Sequence, residues 1–237
     1  MKKRLLIFSA HPDDHLSCAG TAMYLKSLDF EVIEMVFTGG ENSINKLQDA
    51  TKVVDKKALI KVREKEFKAA SKILGTKSYM FLGQPNGDVK RSFELVLKIV
   101  EIIRKVCPLI VISENPNDYH TDHRAVGEIV TEAIERAGWG VQRELGAPYK
   151  TPMGLYMGTM LENERLDILF DITKFWDKKR KMLKAYGSQI GSSGFQLDEA
   201  LAKYCGYYMR VPYAESFEVM KNFPIKANVF IQRLLDV

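Results

Sequence analysis

Two short stretches hold all four histidines of this 237-residue chain. The first is Ala10-His11-Pro12-Asp13-Asp14-His15. The second is His120-Thr121-Asp122-His123, more than a hundred residues on. Imidazole nitrogens and carboxylate oxygens are the usual ligands of a divalent metal such as zinc. His11, Asp14 and His123 supply two imidazoles and one carboxylate, which leaves a coordination position open for water, as a catalytic site requires. Metal-held water loses a proton near neutral pH and becomes a nucleophile. Asp13, next to the ligand Asp14, is placed to act as the general base. His120 can stabilise the oxyanion, and Asp122 can hold the His120 ring. Either stretch alone is a weak signal, since Asp and Pro crowd into turns. Together, each after an apolar strand, they point to one site.

The elements around these stretches say how they meet. Arg4 to Ala10 is a short continuous apolar run, which suits a strand buried on both faces, and Leu16 to Leu28 reads as a helix. His11 to Asp14 therefore sits on a strand-to-helix turn, with its carboxylates at a helix N-terminus that favours negative charge. Pro12 stiffens that turn. Further strands are expected at Glu31 to Thr38, Ser78 to Leu82 and Leu109 to Ser113. Helices are expected from Leu59 to Leu74, around Phe93 to Ile103, and around Val126 to Ala133, with His123 at or just before the first turn of the last. Residues 41 to 58 are polar and lysine-rich and read as a loop at the same edge. Four βα units in a row predict a parallel sheet with helices on both faces. If strand 4 returns beside strand 1, both stretches lie at the crevice where strand order reverses, the edge at which such sheets bind ligands.

Beyond Gly138 the pattern is less regular. Met153 to Met160 and Leu166 to Asp171 read as strands, and Thr173 to Tyr186 as a basic amphipathic helix. Gly187 to Gly194 reads as a loop, Leu197 to Met209 as a helix, and Phe217 to Met220 as a last strand. The expected fold is α/β and Rossmann-like, one domain over residues 1–237 with an irregular C-terminal α/β portion.

Composition narrows the function classes. The net charge of +5 is mild, and Lys178-Lys179-Arg180-Lys181 reads as a solvated helix face, so nucleic-acid binding is not indicated. Cys18, Cys107 and Cys205 are odd in number and show no C-x-x-C spacing, which fits reduced thiols in a cytoplasmic protein. Cys18 lies near the first stretch, but packing is its expected role. No apolar stretch approaches membrane-spanning length. The opening Met1 to Phe8 is too short in its apolar part for a signal peptide. One turn glycine, Gly20, makes no G-x-G-x-x-G phosphate cradle, which argues against dinucleotide binding.

The two stretches resemble the paired signatures of the LmbE / PIG-L-like zinc-dependent N-acetylglucosamine deacetylases. These are A/P-His-Pro-Asp-Asp-Glu after the first strand and His-x-Asp-His after a later one. Supporting similarity is seen at Phe37-Thr38-Gly39-Gly40, Arg63-Glu64 with Ala69-Ala70, Phe81-Leu82-Gly83, Asp171-Ile172-Thr173 and Tyr213-Ala214-Glu215-Ser216-Phe217. The resemblance implies zinc, or another divalent metal such as Fe2+, on His11, Asp14 and His123. It implies Asp13 as general base and His120, paired with Asp122, as the oxyanion-stabilising or amine-protonating group. Arg63 matches a substrate-binding arginine of some members. It further implies hydrolysis of an N-acetyl group from a glucosamine unit, with trimeric or hexameric assembly. His15 stands where the family has a glutamate that is not a ligand, so metal binding is expected to survive. His15 itself could line the pocket, support a ligand or face solvent, and it is counted with the substrate-binding residues. Two histidines and one carboxylate also make the triad of non-haem iron oxygenases, the competing reading. That triad normally sits on a β-barrel, whereas this chain alternates strands and helices. A non-catalytic sugar-binding relative would lack Asp13 or His120; both are present.

Overall fold

The computed structural model describes residues 2–43, 55–158 and 165–221. Seven strands form one sheet in the order β3-β2-β1-β4-β5-β7-β6. They are β1 Arg4–Ser9, β2 Glu31–Thr38, β3 Ser78–Gln84, β4 Ile110–Ser113, β5 Met153–Met157, β6 Ile168–Asp171 and β7 Ala214–Val219. The first five run parallel. β7 pairs antiparallel with β5, and β6 antiparallel with β7. The helices are α1 Ala19–Ser27, α2 Lys56–Leu74, α3 Phe93–Val106, α4 Thr121–Ala137, α5 Trp176–Ala185 and α6 Ser192–Met209.

β1 is central because its side chains face apolar layers on both sides. Leu6 and Phe8 pack with α3 and α4, while Leu5 and Ile7 pack with α1, α2 and α5. The doubly apolar run thus covers two cores rather than one. β1 pairs with β2 on one side and β4 on the other. The strand order reverses there, as expected, and the turns that follow β1 and β4 share one edge of the sheet.

Several boundaries differ from the sequence reading, each for a local reason. α2 starts at Lys56 rather than Leu59, because the Asp55 side chain accepts hydrogen bonds from the Lys57 and Ala58 amides. The rest of the expected 41–58 loop, residues 44–54, lies outside the described residues. The helix expected from Leu16 is a 3₁₀ turn over Asp14–Cys18 followed by α1. Thr173–Phe175 is likewise a 3₁₀ turn ahead of α5. α6 begins inside the expected loop, at Ser192. The last strand begins earlier, at Ala214.

The C-terminal portion is joined to the first half by buried charge. Glu215 of β7 accepts from the Gly20 and Thr21 amides (2.9 and 2.7 Å) and so caps α1 from nearly two hundred residues away. Lys179 of α5 bridges Glu215 and Asp198 of α6 at 3.0 and 2.9 Å. This corrects the reading of Lys178 to Lys181 as a wholly solvated face: Lys179 is only 2% exposed.

Candidate metal centre

The turn after β1 carries His11, Asp13 and Asp14, and the N-terminus of α4 carries His120, Asp122 and His123. Asp14 Oδ2 accepts from the His11 amide at 2.6 Å, which fixes the turn. Asp14 Oδ2 also lies 3.1 Å from His11 Nδ1 and 3.4 Å from His123 Nε2, and the two nitrogens are 3.3 Å apart. Three donor atoms from two distant stretches thus form a nearly equilateral triangle. Donors about 2.0–2.2 Å from a tetrahedral ion would stand about 3.3–3.6 Å from one another, so the set fits a single cation with one face left open. Donor atoms of His11, His120 and His123, and those of Asp14, Glu114 and His123, also fall within 4.8 Å of one another.

Burial alone would lower the His11 pKa, but Asp14 and Asp122 outweigh it and push it up to about 10. Burial opposes the charge of His123 too, yet Asp14, Glu114 and Asp118 raise it to about 12. Burial would raise Asp14, but the two imidazoliums hold it well below the usual carboxylate range. A metal ion held by this set would displace the ring protons on binding, so its affinity would rise with pH.

The partners behind the ligands are largely ones the motifs do not contain. His123 Nδ1 is 3.1 Å from Asp118 Oδ2 and 3.7 Å from Glu114 Oε2. Glu114 also accepts from the Ala10 amide at 3.0 Å, tying the loop after β4 to the end of β1. Burial and the Asp14 charge raise Glu114 to about 8. Gly127 lets this loop lie against α4: a Cβ there would come within 2.6 Å of the Pro116 nitrogen. Glu114 follows a buried strand at the ligand edge, as His11 does, and that placement was the available signal for it.

The structure redistributes three expected roles. The Asp122 carboxylate does not hold His120. Its Oδ2 lies 3.1 Å from His11 Nε2, and its oxygens accept from the amides of Gly87 (2.7 Å) and Val89 (3.1 Å) and from Asn86 Nδ2 (3.3 Å). What His120 receives from Asp122 is the backbone amide, donated to Nδ1 at 3.2 Å as a helix cap. With Nδ1 accepting, a neutral His120 carries its proton on Nε2, ready to donate. Burial and the neighbouring His11 and His123 charges lower its pKa, favouring that neutral form.

Arg63, on α2, is buried and meets the Asp13 carboxylate through Nη2, while Nη1 donates to Ser43 Oγ at 2.7 Å. It orients the candidate base instead of facing open space. Gly40 has φ +72°, and a Cβ there would lie 2.6 Å from the guanidinium, so only glycine lets Arg63 through.

His15 is completely buried and does not line a pocket, contrary to expectation. Its ring stacks on Phe67 with centroids 5.0 Å apart. Its Nδ1 meets Glu34 Oε1, and Glu34 Oε2 takes the Ser71 hydroxyl (2.9 Å) and the Thr76 hydroxyl. Tyr186 OH lies 2.6 Å from the Pro12 carbonyl oxygen and 2.8 Å from His15 Nε2. The tyrosine has one proton, and the carbonyl can only accept, so that proton goes to Pro12. His15 Nε2 must then donate to the phenol oxygen, and Nδ1 donates to Glu34. His15 and Glu34 form a buried pair, and Tyr186 carries this pair to the backbone of the metal turn.

An α/β sheet with histidines and carboxylates that could hold a metal ion at its reversal point places the chain among the α/β proteins that bind ligands at that edge. Within that class, residues 6–134 match the GlcNAc-PI de-N-acetylase (PIG-L) family, and the chain belongs to it. It is 31% identical over 205 residues to a probable N-acetyl-alpha-D-glucosaminyl L-malate deacetylase 2 of Bacillus anthracis, covering 83% of this chain and 85% of that one. It is also 31% identical over 173 residues to the 1D-myo-inositol 2-acetamido-2-deoxy-alpha-D-glucopyranoside deacetylase of Rhodococcus erythropolis. That match covers 63% of this chain but only 59% of the relative's length. The fold superposes on N,N'-diacetylchitobiose deacetylase from Pyrococcus horikoshii with a TM-score of 0.82 at 23% identity, over 97% of this chain and 88% of the other. Among the described residues, no helix is long and apolar enough to cross a membrane.

Proposed function

We propose that the protein is a zinc-dependent hydrolase that removes the N-acetyl or other N-acyl group from an amino sugar derivative such as an N-acetylglucosamine conjugate. The observation that carries this reading is the donor triangle of His11, Asp14 and His123 with Asp13 beside it. When bound there, the ion supplies Lewis acidity to the attacking water and to the amide carbonyl. Asp13, oriented by Arg63, takes the proton from that water as it adds to the carbonyl carbon. His120 presents Nε2–H to the oxygen that gains negative charge, and the proton that Asp13 takes from the water passes to the departing nitrogen. Asp122 works through His11, holding the ring by Nε2 so that Nδ1 faces the triangle. The products are a carboxylic acid and the free amine of the sugar.

The relatives named above support the substrate class, each acting on an acetamido sugar by its name. With the reading go zinc as the ion, a homo-oligomer of trimers or hexamers, and a cytoplasmic place of action, supported by family likeness and by the free cysteines. The iron oxygenase alternative finds no support, since the matched family model is described as a de-N-acetylase and the ligands follow parallel strands of an α/β sheet.

The test is acetate release from a panel of N-acetylated glucosamine derivatives by zinc-loaded protein. Asp13→Ala is expected to lose about two or more orders of magnitude in turnover while keeping its metal. His123→Ala is expected to lose the metal. Parent-rate turnover by Asp13→Ala would remove the base assignment.

A further inference from the structure

A cleft of about 250 Å3 opens beside Asp13, Asp14 and His123. Its walls away from that end are Leu16, Met157, Leu183, Ile190, Leu197 and Leu201. Leu16, Met157 and Leu183 are buried and make the floor. Leu197 and Leu201, one turn apart on α6, make a rim that is 46% and 37% exposed. Most carboxylates along the cleft already have partners within the protein. Asp118 accepts from the His120 amide, Glu114 from the Ala10 amide, and Asp198 holds Lys179. His120, Arg63 and Asn86 lie outside its lining.

A pyranose carries hydroxyls on most of its carbons. Pressed against these six apolar side chains, most of them would lose their water, since Ser17, Tyr119 and Asp198 are the polar side chains left to meet them away from the donor triangle. The cleft therefore suits a different part of the substrate. At an amide held at the donor triangle, the acyl chain and the nitrogen leave the carbonyl carbon in different directions. The nitrogen carries the hydroxylated ring, and the apolar direction is left to the acyl side. An acetyl ends one carbon past the carbonyl and leaves most of 250 Å3 unfilled.

We propose that this cleft receives the substrate's N-acyl chain, and that this chain is neutral, apolar and longer than acetyl. The proposal rests on the deacylase reading for where the amide lies. The apolar binding itself can be tested without turnover, by using the acid products as probes.

Acetate, butanoate and hexanoate are titrated into the zinc-loaded full-length protein by calorimetry. Each fully buried methylene strengthens binding by up to about fourfold. Hexanoate is expected to bind at least about tenfold more tightly than acetate. Leu197→Asp and Leu201→Ala, both at exposed positions of α6, are expected to flatten that dependence while the thermal melt stays near the parent's. In parallel, amine release is measured from methyl glucosaminides carrying N-acetyl, N-butanoyl and N-hexanoyl groups, with kcat/KM expected to rise along the series. Affinity independent of chain length, or a dependence unchanged in both variants, overturns the cleft assignment. Chain-length-dependent binding with no amine released from any glycoside supports the cleft and refutes the deacylase reading. Amine release confined to the N-acetyl compound, with flat binding, leaves the deacylase and refutes the cleft.

Discussion

Glu34→Gln changes one buried side chain by a single atom and removes its charge. Glu34 is 1% exposed, and its oxygens hold His15 Nδ1 and the Ser71 and Thr76 hydroxyls. The glutamine oxygen can still accept from the hydroxyls, but the His15 ring loses the carboxylate it pairs with in the buried core. Removing one partner of a buried pair costs about 3–5 kcal/mol. For a chain of this size, each kcal/mol moves the melting temperature by about 2–4 °C, so a fall of about 6–20 °C is expected. A thermal melt followed by circular dichroism reads it. The double variant His15→Gln/Glu34→Gln removes both partners, and the cycle is expected to recover much of the loss. The pH dependence has a fixed sign. Burial raises the Glu34 pKa, but His15, Thr76 and Ser71 outweigh it, and the folded value is lowered. Its contribution is therefore complete above the unfolded value of about 4.3 and is lost as pH falls through the lower folded value. The gap between parent and Glu34→Gln should be full at neutral pH and close in acid below about pH 4. A variant that melts within 2 °C of the parent at neutral pH, or a gap still as wide at about pH 2 as at neutral pH, refutes the ion-pair reasoning.

Asp122→Asn weakens the grip on His11 Nε2 and should lower metal affinity by about 10–100-fold in a chelator competition. Affinity within twofold of the parent would return Asp122 to a role on His120. Gly127→Ala places a methyl 2.6 Å from the Pro116 nitrogen and 2.8 Å from the Glu114 oxygen. It should cost about 1–3 kcal/mol and weaken metal binding as the 114–118 loop shifts off His123; an unchanged melt and affinity would count against the close approach. Gly40→Ala forces a methyl toward the Arg63 guanidinium at a left-handed φ. Turnover should fall with metal content intact, measured by activity beside metal analysis.

How much of this was legible in the chain depends on what each feature needs. β1 to β4 and their helices were readable because each is a local pattern: an apolar run, then a 3.6-residue period, then a turn. The strand order around β1 followed, and with it the meeting of His11 and Asp14 with His123. The antiparallel pairing of β7 with β5 and β6 was not readable, since nothing local in Ala214–Val219 states its neighbours. Side-chain partnerships were the least visible. Asp122 is adjacent in sequence to His123 and near His120, yet its carboxylate points to His11, because the start of α4 turns it toward the loop after β3. Glu34 had a signal: a charged residue among Val32, Ile33, Met35 and Val36 must find a buried partner. With Glu34 in view, His15 would have read as that partner and not as a pocket residue.

The long reach of Glu215 and Tyr186 bears on what counts as a self-sufficient piece of this protein. The family match ends at residue 134, and the three donor atoms all lie within it. Yet the first turn of α1 is capped from residue 215, and the backbone at Pro12 is held by a phenol from residue 186. A fragment cut after α4 would keep every ligand and lose the braces that hold two of them in register. The second half of the chain thus braces the donor stretches of the first as well as lining the cleft beside them. Substitutions there, far from any motif, can silence the centre without touching a ligand.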